Sequence, residues 1–268
     1  MDLVDAQVTH SKIKTCAANC ASTSPHSARI WNYWLGGKDN YAPDREVGDA
    51  VAAQNPDILL IARASRQFLV RAVTYLSAEA GIDQFLDIGA GLPTMNNTHE
   101  VAQANNPAAR TVYVDNDPMV LAHGRSLLAC SRTDGLTRFV HADVRDPESI
   151  IAEAANTLDF ARPVAVLLLG VLGHATPDFD HMREVVAGYV DAIAPGQLPG
   201  PPGWKRHQRR RPRQRRDQQL RAAHPRRVPP VLRRLELVEP GVVPTTLWRP
   251  PFGTPAPVDS YGIVGRKP

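Results

Sequence analysis

The sequence predicts an α/β protein built on a doubly wound, mostly parallel β-sheet. Four short runs of apolar and β-branched residues, each ending in Gly or Asp, alternate with segments of helical periodicity: FLDIGAG, TVYVDND, TRFVHAD and PVAVLLLG. This alternation is typical of a parallel sheet with right-handed crossovers and helices on both faces. The runs are apolar throughout rather than at every second position, which indicates strands buried on both sides.

A helical cap is predicted to precede the sheet. Residues 1–24 are small and polar and are expected to form a flexible arm, and residues 25–81 form the cap. One cap helix is predicted to begin near residue 43 and to end near residue 54. A second has Asn55 as its N-cap and Pro56 as its first residue, and it ends at Gly81, where a glycine suits the left-handed turn after a helix. Apolar and small residues recur at helical spacing along it: Ile58, Ile61, Ala62, Ser65, Phe68, Leu69, Ala72, Val73 and Leu76.

The Rossmann-like domain is predicted to cover residues 82–268. Helices are expected at residues 94–105, 118–130 and 147–155, and a fourth is expected to begin at Pro177 and to stop at Pro195. Residues 235–243 and 260–267 have the composition of two further strands. Between these parts, residues 197–234 do not supply the fifth strand that a doubly wound sheet requires.

Composition and cysteine content limit the classes of protein to consider. The longest apolar run is PVAVLLL, at residues 163–169, far short of the roughly 20 residues that a membrane helix needs. The N-terminus has no apolar stretch of the kind found in a signal peptide. The three cysteines lack the spacing of zinc or redox sites. We therefore expect a cytoplasmic protein with buried or free thiols, no membrane contact and no metal site.

The motif with the most chemical content is FLDIGAGLPT, at residues 85–94. A strand ending in Asp87 is followed by Gly89 and Gly91, and a helix is predicted to open at about Thr94. Glycines allow a tight turn and a close approach of the backbone to a ligand, and a helix N-terminus offers free N–H groups. The position of this motif inside a βαβ unit strengthens its interpretation as a ligand-binding turn.

A second acidic residue closes the next predicted strand, in VYVDNDP. Asp115 follows Gly91 by 24 residues, the distance at which a carboxylate takes the ribose hydroxyls of an adenosine ligand. Asn116 is then placed to border the adenine. The alternative is a strand-end aspartate that caps the following helix, a role that Asp117 fits better because it directly precedes Pro118.

The third and fourth strands add candidates at the same edge of the sheet. Asp143 and Val144 follow the third strand in FVHADVRDP, where a carboxylate can accept a hydrogen bond from an adenine amino group. Gly170 follows the fourth strand, at the carboxyl edge where open α/β folds bind ligands. A structural role for Asp143 competes with this one, because Asp146 and Pro147 resemble a helix start.

A nicotinamide enzyme is the rival explanation of these features. Its fingerprint requires a third small residue in the glycine motif, where Thr94 stands here, and Leu92 and Pro93 restrict the approach of a pyrophosphate. A charged ligand without phosphates, such as S-adenosylmethionine, fits the motif better.

Several strings taken together resemble a bacterial family of S-adenosylmethionine-dependent methyltransferases of unknown substrate. These are FLDIGAGLPT, VYVDNDP, FVHADVRDP and the N-terminal PHSARIWNYWLGGKDNYAPDRE, with LELVEPGVVP and LWRP near the C-terminus. The resemblance implies a class I methyltransferase fold with S-adenosyl-L-methionine as the methyl donor. It also implies that Asp87, Gly89 and Gly91 face the donor's methionine part, Asp115 its ribose and Asp143 its adenine.

The aromatic N-terminal segment allows two interpretations. Trp31 and Trp34 either cover the donor, where an aromatic ring can stabilise a sulfonium, or simply pack the cap onto the sheet. Arg29, Lys38 and Asn40 are candidates without an assigned role. His174 and Tyr33 are candidates for a general base, and no catalytic residue is assigned.

The segment GWKRHQRRRPRQRRDQQLR differs from the rest of the chain. Residues 204–234 hold 12 Arg and one Lys against one acid, which leaves 18 basic and 26 acidic residues elsewhere. The segment is a nucleic-acid-binding tract, a disordered insertion, or a stretch translated out of frame, and the third is preferred because the pattern is regular on both sides. It requires two compensating single-base changes between about codons 190 and 236.

The function predicted from these residues is methyl transfer from S-adenosyl-L-methionine to a small-molecule acceptor. A non-catalytic adenosine- or nucleotide-binding module is the alternative, and a nucleic-acid-binding protein is the less favoured third. The sequence does not identify the acceptor or the oligomeric state.

Overall fold

The computed structural model describes residues 24–130, 137–175, 179–195 and 234–268. The predictions made for the N-terminal arm, for a helix start at Pro177 and for nearly all of the arginine-rich segment fall outside these ranges.

A four-stranded parallel sheet forms the centre of the protein, as the sequence predicted. Its strands are β1 (Gln84–Ile88), β2 (Arg110–Asp115), β3 (Thr137–His141) and β4 (Ala165–Leu168). Their spatial order is β3-β2-β1-β4, so the chain builds outward from β1 and then returns to its other side. All five residues of β1 are buried, which agrees with an uninterrupted apolar run in a strand covered on both faces.

Helices cover the two faces of the sheet. On one face Phe85 packs with a cap helix and with Trp248, and on the other Leu86 and Ile88 pack with Ile150 and Tyr189. Adjacent residues of a strand point to opposite faces, so Asp87 lies on the Phe85 side. The helices after the first strand are α4 (Thr98–Asn105), α5 (Pro118–Cys130), α6 (Pro147–Ala154), α7 (Leu172–Ala175) and α8 (Phe179–Ala192).

Three helices precede the sheet: α1 (Ser27–Trp34), α2 (Ala42–Gln54) and α3 (Ile58–Thr74), the last continued by a π-helical turn at Tyr75–Glu79. Gly81 follows with a φ of +68°, the left-handed stop expected from the sequence. The predicted N-cap was wrong. Asn55 ends α2 by donating its backbone N–H to Val51, and Asp57 is the residue before α3. Residues 55–57 therefore form a turn between two helices.

The helix after the glycine motif starts later than predicted. We expected it to open at about Thr94, but α4 begins at Thr98. The Asn97 side chain accepts from the Thr94 backbone N–H at 3.0 Å, and Glu100 accepts from the Asn97 N–H at 2.8 Å. The capping box of Asn97 and Glu100 fixes the start of the helix and leaves residues 92–97 as a loop beside the sheet edge.

The C-terminal residues form two small antiparallel pairs rather than two long strands. β5 (Glu236–Leu237) pairs with β8 (Gly265–Arg266), and β6 (Val243–Pro244) pairs with β7 (Tyr261–Gly262). The predicted strand 235–243 is interrupted at Pro240, which has no N–H to donate, and at Gly241, which turns at a φ of +84°. This part is anchored by the buried Trp248, whose carbonyl accepts from Arg71 at 2.8 Å.

An apolar groove runs along the outer edge of β4. Among the described strands, β4 pairs only with β1. The groove has a volume of about 310 Å³, and its lining includes Leu168, Met182, Val186, Ile193 and Ile263. It lies on the side of β4 away from β1, where a fifth strand would continue the sheet.

Candidate functional site

A cleft opens at the carboxyl ends of the parallel strands, where the strand order reverses between β1 and β4. Its volume is about 340 Å³, within the range of small-molecule sites. All eight residues predicted to bind the cofactor line it, although they are spread over more than 80 positions of the chain: Asp87, Gly89, Gly91, Asp115, Asn116, Asp143, Val144 and Gly170. In an open α/β sheet this reversal is the position where ligands bind.

The glycine turn after β1 forms the floor of the cleft. The N–H groups of Gly89 and Ala90 both donate to the Val114 carbonyl, at 2.8 and 3.2 Å, which ties the turn to the end of β2. Gly89 and Gly91 have φ angles of +72° and +66°, a region that disfavours side chains. A Cβ on Gly89 would lie 2.5 Å from the Val171 side chain, whereas a Cβ on Gly91 would meet nothing within 4 Å.

The different surroundings of Gly89 and Gly91 predict different losses of stability when each glycine is replaced by alanine. Gly91→Ala is expected to lower the free energy of unfolding by roughly 1–2 kcal/mol, the cost of the left-handed backbone alone. Gly89→Ala adds the clash with Val171 and is expected to cost roughly 1–3 kcal/mol more. Urea denaturation of the two variants measures the difference. Equal losses would show that Val171 moves aside freely.

Asp115 holds the turn against the end of β2. One carboxylate oxygen accepts from the Gly91 N–H and the other from the Asp117 N–H, both at 2.9 Å. The side chain is only 8% exposed and lines the cleft. Asp117 performs the capping role expected of it, since it accepts from the Met119 N–H at 2.8 Å at the start of α5.

Asp87 is a buried carboxylate at the base of the cleft. Thr98, the first residue of α4, donates its hydroxyl to Asp87 at 2.6 Å. Burial raises the pKa of Asp87 to about 6, although the Thr98 hydrogen bond and the nearby Arg66 charge act in the opposite direction. An acid held in this way is electrostatically poised to accept a cation.

The third strand places Asp143 and Val144 at the rim of the cleft. The Asp143 carboxylate is engaged by Arg145, whose Nε lies 2.9 Å from one oxygen while a terminal nitrogen lies 2.5 Å from the other. This hydrogen-bonded pair lowers the pKa of Asp143. The Asn116 carbonyl lies 3.0 Å from a His141 ring nitrogen. Gly170 lies across the cleft near Trp31.

Helix α1 covers the cleft, and its two tryptophans have different environments. Trp31 lines the cleft. Trp34 is buried and donates its indole N–H to the Gly48 carbonyl at 3.2 Å, a packing role. Trp34 therefore has the packing role, whereas Trp31 faces the cleft.

Two ion pairs hold α1 in place. The Arg29 Nε donates to the fully buried Asp44 at 2.8 Å, which gives Arg29 a structural role. At the start of the helix, the His26 Nδ1 lies 3.0 Å from Asp117. The hydrogen bond to Asp117 raises the pKa of His26. The cap is thus joined to the same loop after β2 that presents Asp115 to the cleft.

The remaining sequence candidates lie away from the lining. Lys38 is exposed, and Asn40 donates to the Asn32 side chain at 3.1 Å and to the Gly37 carbonyl. The Tyr33 hydroxyl donates to Asp49 at 2.8 Å. Neither Lys38, Asn40 nor Tyr33 lines the cleft. The side chain of His174 is outside the described part of the chain.

The sequence interpretation missed several polar residues of the cleft: His26, Ser27, Asn32, Arg66 and Arg145. Arg66 carried one available signal, because it lies on α3 directly beside the apolar stripe at Ser65 and Leu69. A long charged side chain at the border of a buried helix face can pack its stem on that face and place its charge in a polar site. His26 had no comparable signal, since its partner Asp117 is distant in the sequence.

The described residues were compared with the arrangements typical of metal sites and of membrane-spanning helices. Within them no group of three or more His, Cys, Asp or Glu side chains is arranged to hold a metal ion. None of the helices found there combines the length and apolar character of a membrane span.

A parallel sheet of order β3-β2-β1-β4, flanked by helices and with its cleft at the reversal, defines a class I methyltransferase-like α/β fold. Two crystal structures share it. A provisionally assigned methyltransferase from Thermobifida fusca YX is 40% identical, with a TM-score of 0.74 over 91% of this chain and 95% of that one. A DUF574 family protein from Streptomyces avermitilis MA-4680 is 35% identical, with a TM-score of 0.76 over 92% and 99%.

The sequence itself carries the family signature. A family model described as S-adenosyl methyltransferase matches residues 14–268. The chain belongs to this S-adenosyl methyltransferase family, which confirms the resemblance noted from its motifs. Among curated proteins, none matches the chain.

Proposed function

We propose that the cleft binds S-adenosyl-L-methionine and that the protein transfers its methyl group to a small-molecule acceptor. The observation that carries the proposal is the position of Asp115, a buried carboxylate that faces the cleft at the end of β2 and is bonded to the glycine turn after β1. A carboxylate in that position can accept from both hydroxyls of a ribose. The family membership supports the same donor.

The residues present fit such a donor at each of its parts. Asp115 would hold the ribose, and Asn116, Asp143 and Val144 would border the adenine at the ends of β2 and β3. The buried Asp87 beside Gly89 would receive the methionine ammonium. The open space next to Gly91 lets a ligand approach the backbone closely.

The chain's own contribution to the reaction is binding and alignment. S-adenosylmethionine supplies the reactive carbon, since its sulfonium is the leaving group in an in-line displacement. The cleft holds donor and acceptor in the geometry that this displacement requires. Trp31 from α1 and Leu35 directly after it provide an apolar wall. This wall excludes water from a cationic centre, and Trp31 offers it an aromatic face.

A dinucleotide is a poorer fit for a structural reason. Dinucleotide sites place the pyrophosphate on free N–H groups at a helix N-terminus. Here α4 begins beyond the cleft loop, and its first turn already carries Asn97 and the acidic Glu100 as caps. A pyrophosphate would meet a negative charge at that position.

Calorimetry should separate the two ligands. We expect S-adenosylhomocysteine to bind at least roughly 100-fold more tightly than NAD, a difference of about 2.7 kcal/mol. Equal or reversed affinities would contradict the proposal. Transfer is then tested with labelled S-adenosylmethionine and a panel of small-molecule hydroxyl, amine and thiol acceptors. Tight donor binding without transfer to any of them would instead favour an adenosine-binding module.

A further inference from the structure

Arg66 is a half-buried cation of the helical cap that lines the cleft. It extends from α3 to the loop before α4, where a terminal guanidinium nitrogen contacts Thr94 and lies 3.2 Å from the Asn97 side-chain oxygen. Its Nε is buried and has no hydrogen-bond partner among the described residues. A guanidinium has five N–H donors, and a buried donor left without an acceptor costs free energy. Arg66 therefore has capacity for another acceptor.

The opposite charge lies beside it. Asp87 and Arg66 line the same cleft, and each acts on the ionisation of the other: Asp87 favours the charged form of Arg66, and Arg66 that of Asp87. Burial nevertheless lowers the pKa of Arg66. The two side chains act on each other as nearby charges, whereas the side-chain hydrogen bond of Asp87 comes from Thr98. The two charges are close but do not neutralise one another directly.

A cation and an anion held apart at the edge of a cleft are complementary to a ligand that carries both charges. An α-amino acid is such a ligand, because its carboxylate and ammonium are separated by a single carbon. The planar fork of an arginine matches the two oxygens of a carboxylate, while a buried carboxylate is the partner for an ammonium. Thr94, Asn97 and Thr98 would hold the two side chains in position.

We propose that Arg66 binds the α-carboxylate of the methyl donor and, together with Asp87, makes the cleft selective for an intact amino-acid end. This assignment rests on the proposed function. It adds a binding residue from the helical cap to a site otherwise built from the ends of the strands. Because Arg66 belongs to α3, the cap then takes part directly in donor recognition.

The carboxylate can be isolated by comparing S-adenosylmethionine with its decarboxylated form, which keeps the sulfonium, the ammonium and the adenosine. The wild-type protein is expected to prefer the intact donor at least tenfold by calorimetry. In Arg66→Met this preference should fall to less than twofold, with the affinity for the decarboxylated form nearly unchanged. Arg66→Lys keeps the charge without the fork and should retain part of the preference.

Arg63→Met is the matched control, since Arg63 is an exposed arginine one turn earlier on α3; it should keep the full preference. Circular dichroism melting shows whether each variant is folded. If the wild type binds both ligands but does not distinguish them, or if a folded Arg66→Met keeps the full preference, Arg66 does not bind the carboxylate and the proposed function survives. If the wild type binds neither ligand, the proposed function fails and this assignment fails with it.

Discussion

Asp115→Ala is expected to lower the affinity for S-adenosylhomocysteine by roughly 100-fold or more. Hydrogen bonds from neutral donors to a charged acceptor contribute roughly 1.5–3 kcal/mol each when buried, and a ribose presents two hydroxyls. The substitution also releases the Gly91 and Asp117 N–H groups that the carboxylate now holds. The glycine turn would then lose its attachment to the end of β2. Calorimetry with the purified variant measures the loss.

The two effects of this substitution can be separated with Asp115→Asn. The asparagine oxygen can still accept from one backbone N–H, so the variant should unfold close to the wild-type urea midpoint while its affinity stays low. Asp83→Ala is the control for removing a carboxylate from the same sheet, because Asp83 precedes β1 and pairs with Arg162 on the surface. Wild-type affinity in Asp115→Asn would remove the carboxylate from the site.

The positions of the strand-end residues could be predicted because one rule governs them all. Asp87, Asp115, Asp143 and Gly170 each follow a run of buried residues, and parallel strands bring their carboxyl ends to one edge. The sequence therefore indicated a convergent site without any knowledge of how the helices pack. In the structure all four residues line the same cleft.

The contribution of the cap was not predictable in the same way. Arg66 and His26 reach the cleft only because α3 packs against the Phe85 face of β1 and α1 is attached through Asp117. Those contacts depend on tertiary packing, which local periodicity does not encode. The late start of α4 is different, since the capping signal of Asn97 followed by Glu100 was present in the sequence and outweighs the proximity of Thr94 to the glycines.

The groove beside β4 bears on the arginine-rich segment. Its lining is apolar, including Leu168, Val186 and Ile263, so a strand seated there would have to bury apolar side chains. Residues 204–234 offer 12 arginines and several prolines instead; burying an unpaired charge is costly, and proline donates no ladder hydrogen bond. This mismatch is what the out-of-frame interpretation predicts, and resequencing codons 190–236 tests it.

Asp87→Asn is expected to make the unliganded protein more stable and the donor complex weaker. The folded-state pKa of Asp87 is raised to about 6, because burial disfavours the carboxylate, while an unfolded aspartate titrates near 4. The folded state therefore holds the proton more tightly. The stability due to this group is greatest below about pH 4, falls as the pH rises towards 6, and stays low above that.

Asparagine removes this pH-dependent cost. At pH 8 Asp87→Asn should exceed the wild type in free energy of unfolding by up to about 3 kcal/mol, since one pKa unit corresponds to about 1.4 kcal/mol, and the advantage should disappear near pH 4. Urea denaturation at both pH values measures it. Asp83→Asn, a change at a half-buried residue next to β1, should show no such dependence. A variant less stable than the wild type at pH 8 would mean that the charged carboxylate stabilises the fold.

The same substitution is expected to weaken donor binding, although it stabilises the unliganded protein. An ionised Asp87 beside Arg66 would bind the donor's ammonium, so Asp87→Asn is expected to lower S-adenosylhomocysteine affinity at pH 8 by at least roughly tenfold, about 1.4 kcal/mol. Wild-type affinity should also weaken below about pH 6, where Asp87 takes up a proton. The variant should lack this component, while any contribution from His26 remains in both proteins. If the affinity depends on pH in the same way in both proteins, Asp87 does not bind the ammonium. If the dependence below about pH 6 is lost only in the variant, the ionised Asp87 binds the donor's ammonium.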